Sequence, residues 1–350
     1  MPFELNEKIR GLVPYDPVEG KYPIRLDANE SSLAIGPEER EAIISVAQEI
    51  NLRRYPDHEA RVLCQTAAAF FGTKPKLLTA WNGTDEALLL LSAAFLGKGQ
   101  TLLCFDVDFS MYAFYAYLSG AEIVKLPKRV DFSIDVDAAI AALKEHKPAM
   151  FLFSNPCNPT SLVLPQEDVR RLIIAAEETG TLVVLDEAYM DFSVYSLLDE
   201  VEDHPNLVIL RTCSKAPGLA GLRLGFSCAN EAITKALRAV KSPYNVGVLT
   251  QNVGTALLSQ PERIQAGIEE LRQSTRALSQ GLRERGYDVA GDAANFVFVL
   301  HTGQLFEPLR QRGIIVRRFG EHLRISAGST EENNALFAAL DEINQQEGTT

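Results

Sequence analysis

The feature that most constrains the fold is an alternation of short apolar runs with helical stretches through the middle of the chain. Such apolar runs are typical of strands whose two faces are both covered by helices. Helical patterns lie between them, for example over 84–96 and 166–180. The sequence therefore predicts an α/β fold with a mostly parallel, doubly wound sheet, whose ligands bind beyond the carboxyl ends of the strands. The runs are TLLCF (101–105), AEIVKL (121–126), AMFLFS (149–154), TLVVLD (181–186) and LVILRT (207–212).

The two ends of the chain differ from this middle part. The first 30 or so residues are rich in Pro and Gly, which predicts an extended arm over the surface. After Ser242-Pro243, long polar helices precede two strand-like runs, NFVFVL (295–300) and LRISAG (323–328), and a last helix. We expect an N-terminal arm (1–30), a large ligand-binding domain (31–242) and a smaller α+β C-terminal domain (243–350).

The charge and the cysteine pattern exclude several classes of protein. The formal net charge of −12 argues against a nucleic-acid binder, because such proteins cluster Lys and Arg against phosphates. The five cysteines include no C-x-x-C pair and the five histidines are widely spaced, so neither a disulfide framework nor a metal site is expected. There is no apolar signal run and no stretch of the roughly 18 apolar residues that a membrane span needs. We therefore expect a cytoplasmic protein with buried free thiols.

Polar residues at strand ends carry the functional prediction, because the common nucleotide, metal and hydrolase motifs are absent. The chain contains no G-x-x-x-x-G-K-[ST], H-E-x-x-H, G-x-S-x-G or G-x-G-x-x-G. Asp186 ends the run TLVVLD, which places a carboxylate at the ligand edge of the sheet, and Tyr189 follows three residues later. A helix cap or a turn also explains a single Asp in this place.

A lysine follows the last of the five apolar runs. Small and apolar residues surround Ser214-Lys215, in TCSKAPGLAG. Such surroundings desolvate a lysine and favour the neutral amine that reacts with carbonyl groups. A solvated surface charge is the alternative interpretation.

Two loops offer further ligand contacts. SNPCNPT (154–160) follows the run AMFLFS, and its two Asn-Pro pairs predict a rigid turn that holds the Asn158 amide toward a ligand. Asn82-Gly83-Thr84-Asp85 begins an apolar helix, whose free N–H groups suit a phosphate. The alternatives are a plain tight loop in the first case and a helix cap by Asn82 or Thr84 in the second.

Taken together, these stretches resemble the fold-type I pyridoxal-phosphate aminotransferases, and among them most closely the histidinol-phosphate aminotransferase family. Asn158, Asp186 and Lys215 follow three different strands of one predicted sheet, in that order and at near-even spacing. The resemblance covers nearly the whole chain. It rests on LDANES, RRYPD, GTDEAL, SNPCNPT, DEAYMDF, CSKAPGLAGLRLGF and LRISAG.

The resemblance implies pyridoxal 5'-phosphate as cofactor and a role for each residue around its ring. Lys215 would hold the cofactor as an internal aldimine (a Schiff base) and later shuttle the proton. Asp186 would pair with the pyridine nitrogen and keep it protonated. Asn158 and Tyr189 would hydrogen-bond the phenolic oxygen of the ring, and Phe109 occupies the position where the family stacks a tyrosine.

The resemblance also implies contacts to the cofactor phosphate, to the substrate and to a second subunit. The phosphate would lie against Ser214, Arg223 and the Gly83-Thr84 backbone, with Asp85 among the cofactor-binding residues. Tyr55 would reach the phosphate of the neighbouring subunit, which implies a homodimer. Arg324 would bind the substrate carboxylate with Asn29 nearby, while Tyr15 and Arg317 match positions that bind the phosphate of the amino donor. Arg318, adjacent to Arg317, is the alternative for that role.

Several positions depart from the family pattern. Cys157 stands where Asn is usual, Ser161 stands where Gly is usual, and DVDFSMY replaces the expected Pro-Thr-Tyr, so Phe109 lacks a hydroxyl group. The leading hypothesis is transfer of an amino group from histidinol phosphate, or a related donor, to 2-oxoglutarate. Alternatives are an aromatic amino-acid aminotransferase, a threonine-phosphate decarboxylase and a non-catalytic sensor. A dinucleotide enzyme is disfavoured because the glycine fingerprint is missing.

Overall fold

A computed structural model describes residues 3–14, 18, 20–193 and 195–347. Tyr15, one of the predicted substrate contacts, lies outside the described residues. Within these ranges, twelve strands form two sheets, one of seven strands and one of five. The strands are β1 (Ile24–Leu26), β2 (Leu78–Trp81), β3 (Thr101–Phe105), β4 (Glu122–Leu126), β5 (Met150–Ser154), β6 (Leu182–Asp186), β7 (Leu207–Thr212), β8 (Gly225–Ala229), β9 (Val289–Gly291), β10 (Phe296–Val299), β11 (Ile314–Phe319) and β12 (His322–Ser326).

Helices cover both faces of the larger sheet and one side of the smaller one. In the described part of the chain the α-helices are α1 (Glu7–Arg10), α2 (Pro37–Glu49), α3 (Arg61–Phe71), α4 (Thr84–Phe95), α5 (Met111–Ser119), α6 (Val136–His146), α7 (Gln166–Glu177), α8 (Glu231–Val240), α9 (Val248–Leu258), α10 (Pro261–Glu284), α11 (Phe306–Gln311) and α12 (Thr330–Glu347). Single 3-10 turns occur at Pro75–Leu77, Met190–Phe192, Leu198–Glu200, Ala220–Leu222 and Gly303–Leu305. No helix among the described residues is both long and apolar enough to cross a membrane.

The larger sheet has the strand order β2-β8-β7-β6-β5-β3-β4. Its strand pairs are parallel except for those that involve β8, which runs antiparallel to both β2 and β7. Ser154 at the end of β5 is in register with Asp186 at the end of β6. The loops that follow β5, β6 and β7 therefore emerge side by side at one edge. The predicted mostly parallel, doubly wound α/β fold is confirmed.

Two apolar layers explain why the central strands show no polar alternation. Successive residues of β6 enter opposite layers: Val183 and Leu185 pack on one side, Leu182 and Val184 on the other. Because successive side chains of a strand point to opposite faces, both faces need apolar residues. Burying each such side chain stabilises the fold by about 1.5–3 kcal/mol. The cysteines also lie in the interior: all five are free and buried, as predicted.

The smaller sheet has the order β1-β11-β12-β10-β9 and its own apolar core. Its first strand comes from the N-terminal segment, because β1 pairs in parallel with β11, with Ile24 opposite Ile314. Leu26 is buried in the core of this sheet. This pairing fixes the segment after β1, residues 27–29, against the larger sheet, where it borders the cleft described next.

Candidate active site

A cleft of about 310 Å³ lies at the carboxyl ends of β5, β6 and β7 and is bordered by β11 and β12 of the smaller sheet. It brings together residues that are far apart in the sequence and that the sequence analysis selected. Those that line it are Asn29, Thr84, Asp85, Phe109, Asn158, Asp186, Tyr189, Ser214, Lys215, Arg223, Arg317 and Arg324. The position of this cleft agrees with the expectation that ligands bind beyond the carboxyl ends of parallel strands.

The carboxylate of Asp186 lies at the floor of the cleft, and Asp186 is only 5% exposed. Its Oδ2 accepts a hydrogen bond of 2.6 Å from the Tyr112 hydroxyl, and its Oδ1 accepts one of 3.0 Å from the Ala188 N–H. Burial raises the pKa of Asp186 to about 6, although both hydrogen bonds oppose this shift. A positively charged partner in the cleft would therefore stabilise the ionised carboxylate.

Tyr112 was not selected from the sequence. It is buried on α5, its pKa is raised well above the usual value, first by burial and then by the nearby Asp186 charge, and it lines the cleft. One sequence signal existed: Tyr112 is an aromatic residue only three positions after Phe109, in the first turn of α5. The two rings pack edge to face, with their centres 5.5 Å apart.

Lys215 is half-buried in the loop after β7. Its Nζ donates hydrogen bonds to the backbone carbonyls of Ala28 at 3.1 Å and Asn29 at 3.3 Å. The same Nζ lies 5.7 Å from the centre of the Tyr189 ring. The amine is therefore held inside the cleft by the segment that follows β1.

Asn29 connects this segment to both sheets. Its Nδ2 donates to the Tyr189 hydroxyl at 2.9 Å, and its Oδ1 accepts from the Ser326 hydroxyl at 3.1 Å. Its backbone carbonyl also accepts from Asn295 at 3.1 Å. Asn29 is 1% exposed, so these bonds fix the Tyr189 phenol in one place.

Asn158 and Arg324 meet across the cleft. Arg324 donates from Nη1 to the Asn158 side-chain carbonyl and from Nη2 to the Asp27 backbone carbonyl, both at 2.6 Å. Because the Asn158 oxygen accepts from the guanidinium, the Asn158 amide nitrogen is the group that can donate to a ligand. Arg324 is only 8% exposed and carries an oriented fork of donors toward the cleft.

A cradle forms where α4 begins. The N-cap residue is Gly83, whose backbone has a positive φ of 79°, and it has no side chain to cap the first N–H groups. The cap by Asn82 or Thr84 that the sequence allowed is therefore not formed. A Cβ atom at Gly83 would lie 2.5 Å from Nη2 of Arg223, whose guanidinium also reaches Ser214 Oγ at 3.4 Å and Asp85 at 3.1 Å. Open helix N–H groups beside a guanidinium form a ready anion site.

The neighbouring arginines of β11 differ in position, and Tyr55 lies apart from the cleft. Arg317 lies on β11 opposite Arg324 on β12, and both line the cleft. Arg318 is exposed and donates to the Gly320 carbonyl, so of the two neighbours it is Arg317 that borders the cleft. Tyr55 lies outside the cleft; it is 80% exposed and stacks on Tyr244 with ring centres 4.6 Å apart.

The two departures in the loop after β5 have structural correlates. Ser161 keeps the left-handed backbone (φ 56°) that a glycine adopts easily, and its hydroxyl accepts from the Ala294 N–H at 2.9 Å. This bond joins the loop to the segment before β10. Cys157 is buried with its sulfur 3.0 Å from Nζ of Lys128, a contact not anticipated from the sequence.

Comparison with known proteins identifies related chains over nearly the whole length. Residues 21–340 match the family "Aminotransferase class I and II". The histidinol-phosphate aminotransferase of Clostridium novyi (strain NT) is 35% identical over 336 residues, covering 94% of each chain. That of Thermobifida fusca (strain YX) is 36% identical over 348 residues, covering 96% of this chain and 94% of the relative. The crystal structure of histidinol-phosphate aminotransferase from Sinorhizobium meliloti in complex with pyridoxal-5'-phosphate superposes with a TM-score of 0.86 at 25% identity, covering 93% of this chain and 92% of the other.

Proposed function

The chain belongs to the class I and II aminotransferases and is a pyridoxal-phosphate-dependent aminotransferase, and from this premise we propose that it transfers an amino group from histidinol phosphate to 2-oxoglutarate. Relatives named histidinol-phosphate aminotransferase match it over 94–96% of its length, which supports this donor and a place in histidine biosynthesis. The observation that carries the choice of substrates is the arginine pair Arg317 and Arg324. The two residues are partners on adjacent strands and both line the cleft.

The cleft fits pyridoxal phosphate on two structural grounds. The buried Asp186 suits a protonated pyridine nitrogen, because a positive partner offsets the desolvation that raises its pKa to about 6. At Gly83, the space that a Cβ atom would fill borders Arg223 and the uncapped N-terminus of α4, which suits a phosphate. The pyridine nitrogen would thus face a carboxylate, and the phosphate would face a guanidinium and free N–H groups.

Bound pyridoxal phosphate supplies an electron sink for the bond that breaks at the amino carbon. Asp186 would keep the ring nitrogen protonated, and Tyr112 holds the Asp186 carboxylate in place. The Asn158 amide and the Tyr189 hydroxyl would bind the phenolic oxygen, and Phe109 would pack on the ring. The Lys215 Nζ would hold the cofactor and, once it is released as an amine, would move a proton between the substrate carbon and the cofactor carbon.

Histidinol phosphate and 2-oxoglutarate would occupy the same cleft in turn. Both carry negatively charged groups, but their carbon skeletons differ. We assign the phosphate of the amino donor to Arg317 and a carboxylate of 2-oxoglutarate to Arg324. Asp27 and Asn158 already orient the Arg324 fork, so little side-chain freedom is lost on binding. Asn29 lies beside this position and completes the substrate site.

We further propose a homodimer in which Tyr55 reaches the cofactor phosphate of the neighbouring subunit. The high exposure of Tyr55 and its stacking on Tyr244 present the phenol outside its own cleft. We also propose the division into an arm (1–30), a large domain (31–242) and a small domain (243–350), with β1 contributed by the arm to the sheet of the small domain.

The test is a donor comparison with the purified holoenzyme. Glutamate formed from 2-oxoglutarate is measured with histidinol phosphate, with phenylalanine and with threonine phosphate, and carbon dioxide release is followed in parallel. We expect the highest kcat/KM with histidinol phosphate. Arg317→Met should raise the KM for this donor about tenfold to hundredfold, because a charge-assisted hydrogen bond contributes about 1.5–3 kcal/mol.

The matched control is Arg318→Met, which removes an adjacent arginine on the exposed side of β11 and should leave the KM nearly unchanged. The protein would instead be an aromatic aminotransferase if phenylalanine gave the highest kcat/KM and if Arg317→Met and Arg318→Met had the same KM for the donor. Carbon dioxide release from threonine phosphate without any need for a keto acid would identify a decarboxylase.

A further inference from the structure

An unusual contact lies behind the cleft, between Lys128 and Cys157. Lys128 follows β4, and Cys157 lies in the loop that follows β5. The Lys128 Nζ is 3.0 Å from the Cys157 sulfur, within hydrogen-bond distance for a sulfur acceptor. The sulfur also lies 3.6 Å from the Val107 carbonyl. The amine and the thiol are therefore in direct contact, and no residue lies between them.

The surroundings keep the lysine charged. Burial alone would lower the pKa of Lys128, but the Cys157 sulfur and the Asp108 carboxylate outweigh burial, and its pKa is raised. The ammonium group thus faces the sulfur at neutral pH. A positive group at this distance stabilises negative charge that develops on sulfur or on an oxygen bonded to it.

A small cavity gives access to this pair. Its volume is about 190 Å³, and both Lys128 and Cys157 line it, together with partly exposed residues such as Phe132 and Ser133. A water molecule occupies about 30 Å³ in the liquid, so the cavity admits several molecules of that size. Cys157 itself is only 3% exposed, but it borders this cavity, which is large enough for a hydroperoxide.

The other four cysteines provide an internal comparison. Burial raises the pKa of Cys64 and Cys228 to about 11 and that of Cys104 to about 12, and it also raises the pKa of Cys213. The thiolate is the form that reacts with peroxides, so we expect these four thiols to react slowly. None of the contacts of these four thiols within the described residues pairs the sulfur with a lysine amine as in Cys157.

We propose that Cys157 and Lys128 form a peroxide-responsive pair whose oxidation ends in a covalent sulfur–nitrogen bond. The Cys157 thiolate attacks one peroxide oxygen, the O–O bond breaks, and the leaving hydroxide takes a proton from the Lys128 ammonium, which gives water and a sulfenic acid. The neutral amine then attacks the sulfur, the S–O bond breaks, and a second water leaves. Overall the sulfur is oxidised by two electrons, the peroxide is reduced to two waters, and the protein loses two hydrogens.

The link bears on the cleft through the next residue. Asn158 follows Cys157 directly; its N–H donates to Ser154 Oγ at 3.1 Å, and its side chain accepts from Arg324. A bond from position 157 to Lys128 restricts the loop that presents the Asn158 amide. We therefore expect the linked protein to bind pyridoxal phosphate at least several-fold more weakly. This consequence rests on the proposed role of Asn158, whereas the chemical step does not.

The experiment treats the holoenzyme with a graded amount of hydrogen peroxide, followed by intact-mass measurement and peptide mapping. We expect a mass decrease of two hydrogens and a cross-linked peptide pair containing Lys128 and Cys157, both reversed by a thiol reductant. The other cysteines should remain unmodified at that dose. The amount of bound cofactor, measured by absorbance, should fall in proportion to the fraction of linked protein. It should recover when the reductant breaks the link.

Two variants separate the steps. Cys157→Ser should give neither the link nor the cofactor loss. Lys128→Arg keeps the positive charge but not the primary amine, so Cys157 should gain oxygen without forming a link. Oxygen addition at Cys157 without a link in the wild-type chain, or equal oxidation of all five cysteines, would overturn the proposal. A full link with unchanged cofactor binding would overturn the coupling to Asn158 while leaving the aminotransferase assignment untouched.

Discussion

The Tyr112 hydroxyl donates a hydrogen bond of 2.6 Å to the Asp186 carboxylate at the buried floor of the cleft. A hydrogen bond to the charged form of a carboxyl group favours ionisation and opposes the rise in pKa that burial causes. On the proposed role of Asp186, Tyr112 would help to determine at what pH the carboxylate accepts a pyridinium partner. Tyr112 would then be a positioning residue, because it would act on the cofactor through Asp186.

Tyr112→Phe should weaken pyridoxal-phosphate binding in a pH-dependent way. Loss of a bond worth about 1.4 kcal/mol moves the pKa of Asp186 up by about one unit, from about 6 toward 7. Only the ionised carboxylate pairs with the ring, so the dissociation constant should rise about fivefold at pH 6 and little at pH 8. Absorbance titration with the cofactor at both pH values measures this. Tyr117→Phe, on the exposed side of the same helix, is the control; an equal loss at both pH values would contradict the account.

Asp186→Asn should stabilise the cofactor-free protein at neutral pH. The pKa of Asp186 is raised by folding, from roughly 4 in an unfolded chain to about 6, so ionisation opposes folding by about 3 kcal/mol at pH 7. The stability that the wild type has below pH 4 is lost as the pH rises through 6. The Tm advantage of the variant should therefore shrink as the pH falls from 6 to 4. A constant Tm advantage of the variant at every pH would count against the raised pKa of Asp186.

Gly83→Ala should abolish tight cofactor binding, and Gly72→Ala should not. Both glycines have a positive φ, 79° at Gly83 and 72° at Gly72, but only Gly72 (ψ 34°) lies in the αL region, where alanine costs about 1–2 kcal/mol of stability. Gly83 (ψ 160°) lies in a region that only glycine adopts easily, so alanine there is strained more strongly. Only at Gly83 does the added Cβ meet the Arg223 guanidinium, while Gly72 has no heavy atom within 4 Å. The Tm of each variant, from thermal denaturation, reports the backbone strain. The dissociation constant of the cofactor, from titration, reports the effect of the clash with Arg223. Equal cofactor affinity in the two variants would mean that the phosphate lies elsewhere.

Tyr55→Phe should lower cofactor affinity about threefold to tenfold, since a shared hydrogen bond contributes about 1 kcal/mol. The residue lies outside its own cleft, so this loss is expected only in the dimer. Sedimentation at several protein concentrations, combined with cofactor titration, measures both properties. A wild-type monomer with full cofactor affinity would refute the shared site.

The sequence predicted the central strands well because the fold buries them on both faces. Continuous apolar runs located β3 to β7 to within a residue at each end. It did not indicate β8, whose sequence GFSCA is short and rich in small residues, nor β1, which lies in a Pro-rich stretch. β1 forms only through pairing with β11, nearly three hundred residues later, and local patterns carry no information about such a partner.

The same distinction applies to the site. Asp186 and Lys215 were recognisable because they follow strands, and the carboxyl ends of parallel strands converge. Tyr112 and the bond between Asn29 and Tyr189 were not, since helix packing and β1 pairing bring those partners together. The contact between Lys128 and Cys157 likewise depends on two loops whose mutual position no local pattern specifies.

The most direct test of the central claim is to locate the covalent attachment of the cofactor. Borohydride treatment of the holoenzyme makes the carbon–nitrogen link between pyridoxal phosphate and a lysine permanent, and peptide mass mapping then identifies that lysine. The account predicts one labelled site, Lys215, in the loop after β7, and no label in Lys215→Ala. Label on a different lysine, or none in the wild-type chain under the same conditions, would contradict it.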